Sequence, residues 1–74
     1  MSNWEELFGN LIFISDLGIT QTVELDNTPT QIGRYAAWVP IEGTARHQIV
    51  EIGDDLNYLT EKYRVPLERI CTLS

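Results

Sequence analysis

One cysteine, Cys71, and one histidine, His47, are the only residues in this 74-residue chain that could serve as a thiol or imidazole brace. One thiol closes no internal disulfide, and one Cys with one His makes no structural zinc site. A chain of this length buries only roughly 60–65% of the surface its unfolded form exposes, so a stability of a few kcal/mol is expected. The sequence therefore predicts a single domain over residues 1–74, with one small core that a partner or a second copy would help to complete.

Charge divides the chain unevenly. The net charge is −6, and residues 1–33 contain no Lys or Arg beside Glu5, Glu6, Asp16, Glu24 and Asp26. Arg34, Arg46, Lys62, Arg64 and Arg69 all lie in the remainder, against six acids. That deficit argues against direct nucleic-acid binding, which works by neutralising phosphates. It suits either a solubilising face or an acidic docking surface for a basic partner. One version of the second reading is an acidic inhibitor of a nucleic-acid-handling complex, mimicking the polyanion. The longest apolar run, Leu11 to Ile14, is too short to span a bilayer, and no basic-then-apolar leader opens the chain. The expectation is a cytoplasmic protein, or one carried in a phage or other particle, with no membrane partner. A lone cysteine fits a reducing compartment.

Periodicity gives the elements. Ser2 and Glu5 have capping-box spacing, and Trp4, Leu7, Phe8 and Leu11 form an apolar helical stripe. A short helix over 3–8 is expected, ending at Gly9-Asn10. Residues 11–15 read as a strand, Ser15-Asp16-Leu17-Gly18 as a turn, and Ile19 to Leu25 as a half-buried strand in a hairpin with 11–15. Asp26 to Thr30 is a loop. Gln31 to Val39 predicts a strand buried on both faces for part of its length, ended by Pro40, and Ala45 to Ile52 a fourth strand after the turn at Glu42-Gly43. Asp54 or Asp55 can cap a helix carrying Leu56, Leu59 and Tyr63, and Pro66 suits the first turn of a second helix bearing Leu67, Ile70 and Cys71.

The fold expected from this pattern is α+β: a small antiparallel sheet of about four strands, a short N-terminal helix and two short C-terminal helices. Tyr58, Thr60 and Val65 are also strand-friendly, so the alternative is a five-stranded SH3-like β-barrel with a hairpin around Gly53-Asp54-Asp55.

Residues 47–74 resemble a LysM domain at Val50, Gly53-Asp54, Leu56, Leu59, Tyr63, Val65, Leu67, Ile70 and Leu73. In that family a strand passes through a Gly-Asp turn into two short helices, and a second strand returns beside the first. The matched segment stops before that closing strand, with Ser74 where the family usually has Asn; Gly9 to Ile14 resembles the missing strand. The resemblance implies a peptidoglycan- or chitin-binding module, or a small structural module of a phage tail.

No combination of residues points to catalysis, a cofactor or a metal. His47 beside Arg46 reads as a solvent-facing or satisfied side chain, and Cys71 as a small buried hydrophobe. Adjacent Asp54 and Asp55 diverge in a helix or a strand, so they make a cap or turn rather than an acid–base pair. Trp38 reads as core. The candidate interaction residues are the aromatics Trp4, Phe8 and Tyr58 and the acids Glu5, Glu6, Glu24 and Asp26, because exposed aromatics are preferred interface anchors. The function expected is a non-enzymatic interaction or assembly module, binding a protein partner or itself. Glycan binding and inhibition of a nucleic-acid-handling complex stand as alternatives.

Overall fold

The computed structural model describes residues 8–24 and 30–72. Among them are four strands, an α-helix and a short 3-10 turn: β1 (Phe13–Val23), β2 (Gln31–Pro40), β3 (His47–Gly53), α1 (Leu56–Tyr63), the turn Leu67–Arg69 and β4 (Ile70–Thr72). They make one sheet in the order β3-β2-β1-β4. β1 and β2 are antiparallel, as are β2 and β3, whereas β4 runs parallel to β1. The broad α+β expectation stands, with a mixed sheet in place of an antiparallel one. The SH3-like alternative does not, because 56–63 is helical where that barrel needs a strand.

The expected hairpin of 11–15 with 19–25 is replaced by one long strand. Phe13 to Asp16 pair with Trp38 to Tyr35, and Gln21 to Val23 pair with Gly33 to Gln31 on the same strand. Between them Leu17, Gly18, Ile19 and Thr20 stand opposite Arg34 alone, so the turn residues bulge the strand without reversing it. Asp16 is the cause. Its Oδ1 accepts the Gly18 N–H at 2.8 Å, and Gly18 takes a positive φ of 85° to allow it. The Arg34 guanidinium then grips the same carboxylate with two bonds, Nε to Oδ1 at 2.7 Å and Nη2 to Oδ2 at 3.0 Å. Ser15, expected in a turn, is consequently fully buried within the strand.

β1 supplies both faces of the core by alternation. On one face Ile14 meets Ala37, Leu59 and Val65, with Ile12, Tyr35, Val50, Leu56, Tyr63 and Ile70 packed around them. On the other, Phe13 and Ala36 are fully buried and Ile52 nearly so. There the Phe13 ring lies stacked between Phe8, at 4.7 Å, and Trp38, at 5.7 Å. The Trp38 indole N–H donates to Ser15 Oγ at 2.7 Å, so neither buried polar atom is stranded. Ala36 and Ala37 are buried on opposite faces, as the pattern of 31–39 predicts.

α1 begins where its cap predicts. Asp55 accepts the Tyr58 N–H at 3.1 Å, satisfying a donor of the first turn. It ends at Arg64, which is left-handed (φ 54°), with its N–H directed to Thr60 O. Val65-Pro66 cannot continue the helix. The second helix expected after Pro66 is only the three-residue turn 67–69, and Ile70 and Cys71 belong to β4, where they pair with Ile14 and Ser15. The i, i+3, i+4 spacing of Leu67, Ile70 and Cys71 looked helical, but the free edge of β1 recruits the last two as strand. The N-terminal helix expected over 3–8 lies, apart from Phe8, outside the described residues.

β2 crosses the end of β3 at a pair of glycines. A Cβ on Gly33 would sit 2.5 Å from the Cα of Gly53 and 2.6 Å from its carbonyl oxygen. Backbone cannot yield there as a flexible side chain would. Gly33→Ala should therefore lower stability by about 2–3 kcal/mol, at the upper end of overpacking effects. Urea denaturation followed by far-UV circular dichroism measures it, and an unchanged midpoint would show that the crossing is not close-packed.

Candidate interaction surface

Beyond the Tyr35–Gly53 pair and the Asp16–Thr72 pair, the sheet narrows to β1 and β2. Gln21–Gly33, Thr22–Ile32 and Val23–Gln31 are the pairs of this ribbon. β-branched residues favour the extended backbone, which suits the Thr20, Thr22 and Val23 run. The apolar alternation of 19–25 predicts a half-buried strand, but Ile19 is 67% exposed and Ile32, across the ribbon, 61%. Isoleucines this open, one in the bulge of β1 and one paired with Thr22, are the unusual feature of the surface. Leu11 and Leu67 are also exposed, near the start of β1 and beside β4.

The anticipated residues are dispersed. Trp4, Glu5, Glu6 and Asp26 lie outside the described residues. Phe8 is half-buried with its ring against Phe13, just before β1, whereas Glu24 is exposed just after the other end of that strand. Tyr58 is exposed on α1, as its position off the Leu56, Leu59 and Tyr63 stripe predicts. Among the described ones, Glu24 alone adjoins the ribbon. Asp16 does not contribute a free charge, because Arg34 compensates it; that guanidinium and the Gly18 N–H hold its carboxyl below the usual carboxylate value.

Ile32 was missed because it stands isolated between Gln31 and Gly33. The signal in the sequence was the ribbon as a whole: Gln21 interrupts the apolar side of 19–25, and Thr20, Thr22 and Glu24 fill the other. Such a strand has little to bury in a core and two isolated apolar side chains to offer elsewhere.

A second polar cluster fastens α1 to β3. The register slips by one residue between Ala37 and Trp38, which lets Val50 reach the core while adjacent Glu51 also reaches α1. Glu51 Oε1 accepts from Lys62 Nζ at 2.6 Å and from the Tyr63 hydroxyl at 2.8 Å. Lys62 also donates to the Tyr58 hydroxyl at 3.3 Å and lies over both tyrosine rings, 5.5 and 5.6 Å from their centres. Burial raises the Glu51 carboxyl, but the bonds from Lys62 and Tyr63 outweigh it and the net direction is down. Burial and then the Glu51 bond push the Tyr63 phenol up to about 12, and the Glu51 bond also raises Lys62.

His47 and Cys71 sit on the two outer strands of the sheet. His47 is buried, its Nε2 2.9 Å from Leu11 O and its ring edge-on to Phe13 at 5.1 Å. A shallow hollow of about 470 Å³ is lined by Asn10 and residues 40–45, with Glu42 the one acidic residue in that lining. No metal-holding group of three His, Cys, Asp or Glu exists among the described residues, and no helix among them is long and apolar enough to cross a membrane. Compared with protein-family models, with curated proteins and with solved structures, the chain shows no significant match.

The fastening cluster sets a pH dependence. Tyr63 and Lys62 both bind their protons more tightly when folded, so the unfolded chain releases them first as pH rises. Stability from this source is complete below pH 10 and should fall between about pH 10 and 12. Glu51→Gln removes the carboxylate that raises both groups, and should flatten that decline. Urea midpoints at intervals from pH 8.5 upward would show it; parallel curves for the two proteins would refute the assignment.

Proposed function

We propose that this chain is a non-catalytic protein-interaction or assembly module that docks through the β1–β2 ribbon. The observation that carries the reading is the exposure of Ile19, in the bulge of β1, and of Ile32, paired with Thr22, on the length of sheet where only β1 and β2 pair. Apolar side chains held on a rigid ribbon lose little freedom on binding, so their burial in an interface is retained as affinity. The dispersal of His47, Cys71 and the carboxylates fits a role without chemistry.

A photo-crosslinking residue in place of Ile32 tests this in the native cells. The expectation is one discrete adduct, to a partner or to a second copy, that fails to form when the same residue replaces Gln48 on the outer strand β3. Equal labelling from the two positions, or none from Ile32, would count against the ribbon.

Glycan binding is the second reading, favoured by the passage of β3 through Gly53-Asp54 into a capped helix, the order of elements with which a LysM module opens. Against it weigh the position of β4, beside β1 and separated from β3 by two strands, and the N–H of Arg34, which donates to Asp54 at the same turn. Retention on insoluble peptidoglycan or chitin at low salt is the expected outcome of this reading. Passage straight through both would dispose of it.

A further inference from the structure

The ribbon carries information about its occupant. Resting on the docking role just given, we propose that it binds an extended segment of another protein in which apolar residues alternate with Lys or Arg.

Shape comes first. The ribbon is narrow and two-stranded, its paired length has a period of two, and Ile19 and Ile32 are exposed on it, which suits contact with an extended chain. Third strands are absent from its described length: β4 pairs with β1 only at Ile14, Ser15 and Asp16, and β3 leaves β2 at Tyr35. A side-chain contact, Gln31 Oε1 accepting the Ile52 N–H at 2.7 Å, ties the last pair of the ribbon to β3 without covering Ile32.

Charge chooses the partner. From residue 17 to residue 33 the sequence has acids and no cation. The nearest cation, Arg34, has its guanidinium committed to Asp16 by a two-bond fork, so it neither offsets Glu24 nor repels an incoming base. A basic segment is therefore steered to the ribbon and held beside it, and an acidic one is repelled. The same reasoning disfavours a second copy of this chain, which would bring a net −6 against −6.

Three eight-residue peptides serve as probes: alternating Lys and Val, Glu and Val, or Ser and Val. Each is titrated into the ¹⁵N-labelled full chain and followed by amide chemical shifts, with sedimentation velocity of the chain alone. The Lys–Val peptide should move resonances of Ile19 to Glu24 and Gln31 to Arg34. Its affinity should fall about tenfold between about 20 and about 300 mM NaCl as the charges are screened. Ile19→Thr with Ile32→Thr keeps the β-branch and removes apolar surface, and should weaken binding at least about fivefold. Glu24→Gln should weaken it about twofold to threefold without touching an isoleucine. Equal affinity for the Ser–Val or Glu–Val peptide would overturn the basic partner while leaving the ribbon as a docking surface. So would a dimer that the double threonine variant dissolves. If no peptide perturbs the ribbon and the chain is monomeric, the basic partner and the docking role fall together.

Discussion

Asp16 receives two bonds from Arg34 and one from the Gly18 backbone, and these keep β1 in register with β2 across a bulge of several residues. Before this carboxylate, β1 is a central strand with β2 on one side, β4 on the other and core on both faces. After it, the same strand is half of an open ribbon. A simple hairpin turn at this place would have ended the strand and folded 19–25 back over 11–15. The bulge instead continues the strand alongside β2, and Ile19, expected on a half-buried face, stands exposed. The contact also joins the cation-free first part of the sequence to the first of its five basic residues.

The short stretch from Phe13 to Asp16 bears the rest of the fold, and this follows from size. With one thin layer of sheet and an eight-residue helix, there are few positions where a side chain can be wholly enclosed. Alternation puts Ile14 beneath α1 and Phe13 among the aromatics, while Ser15 gives the Trp38 N–H its acceptor. Polar bonds then fix elements that small apolar contacts leave loose. Glu51 ties α1 to β3, and Arg69 Nη1 reaches Ile12 O at 3.2 Å, drawing the 3-10 turn and β4 toward β1.

Legibility in the sequence followed the range of the deciding interaction. For 56–63 the sequence left helix and strand both open, and the helix was favoured because its cap, its stripe and its terminating Pro66 all lie within a dozen residues. β2 and β3 were readable to within two residues from alternation and the turn at Glu42-Gly43. Ser15 to Gly18 was misread because an Asp-x-Gly turn looks the same in a hairpin and in a bulge, and the residue that decides between them is Arg34, eighteen positions on. Ile70 and Cys71 were misread for a similar reason: their spacing suits a helix, and only the open edge of β1 makes them strand. The ribbon was half visible. Its alternation was plain, but whether a face of period two is buried depends on what the rest of the chain can cover, and here α1 reaches only as far as the inner half of β1.

The lack of a covalent brace and the exposed ribbon are physically linked. A chain without disulfide or metal has little stability to spare, and exposing isoleucine forgoes burial that it needs. An alternative with Ile19 folded inward would require a reversal at Gly18 and the loss of the Asp16–Arg34 fork. The fold keeps the fork. What is forgone inside the monomer is recoverable at an interface, where binding to the folded state alone adds RT ln(1 + [L]/Kd) to its stability. A partner present at about a hundred times its Kd would contribute about 2.7 kcal/mol, on the scale of the whole margin expected for a domain of this size. Docking and stabilisation would then be the same event, and the occupant of the ribbon would act as the brace that neither Cys71 nor His47 can supply.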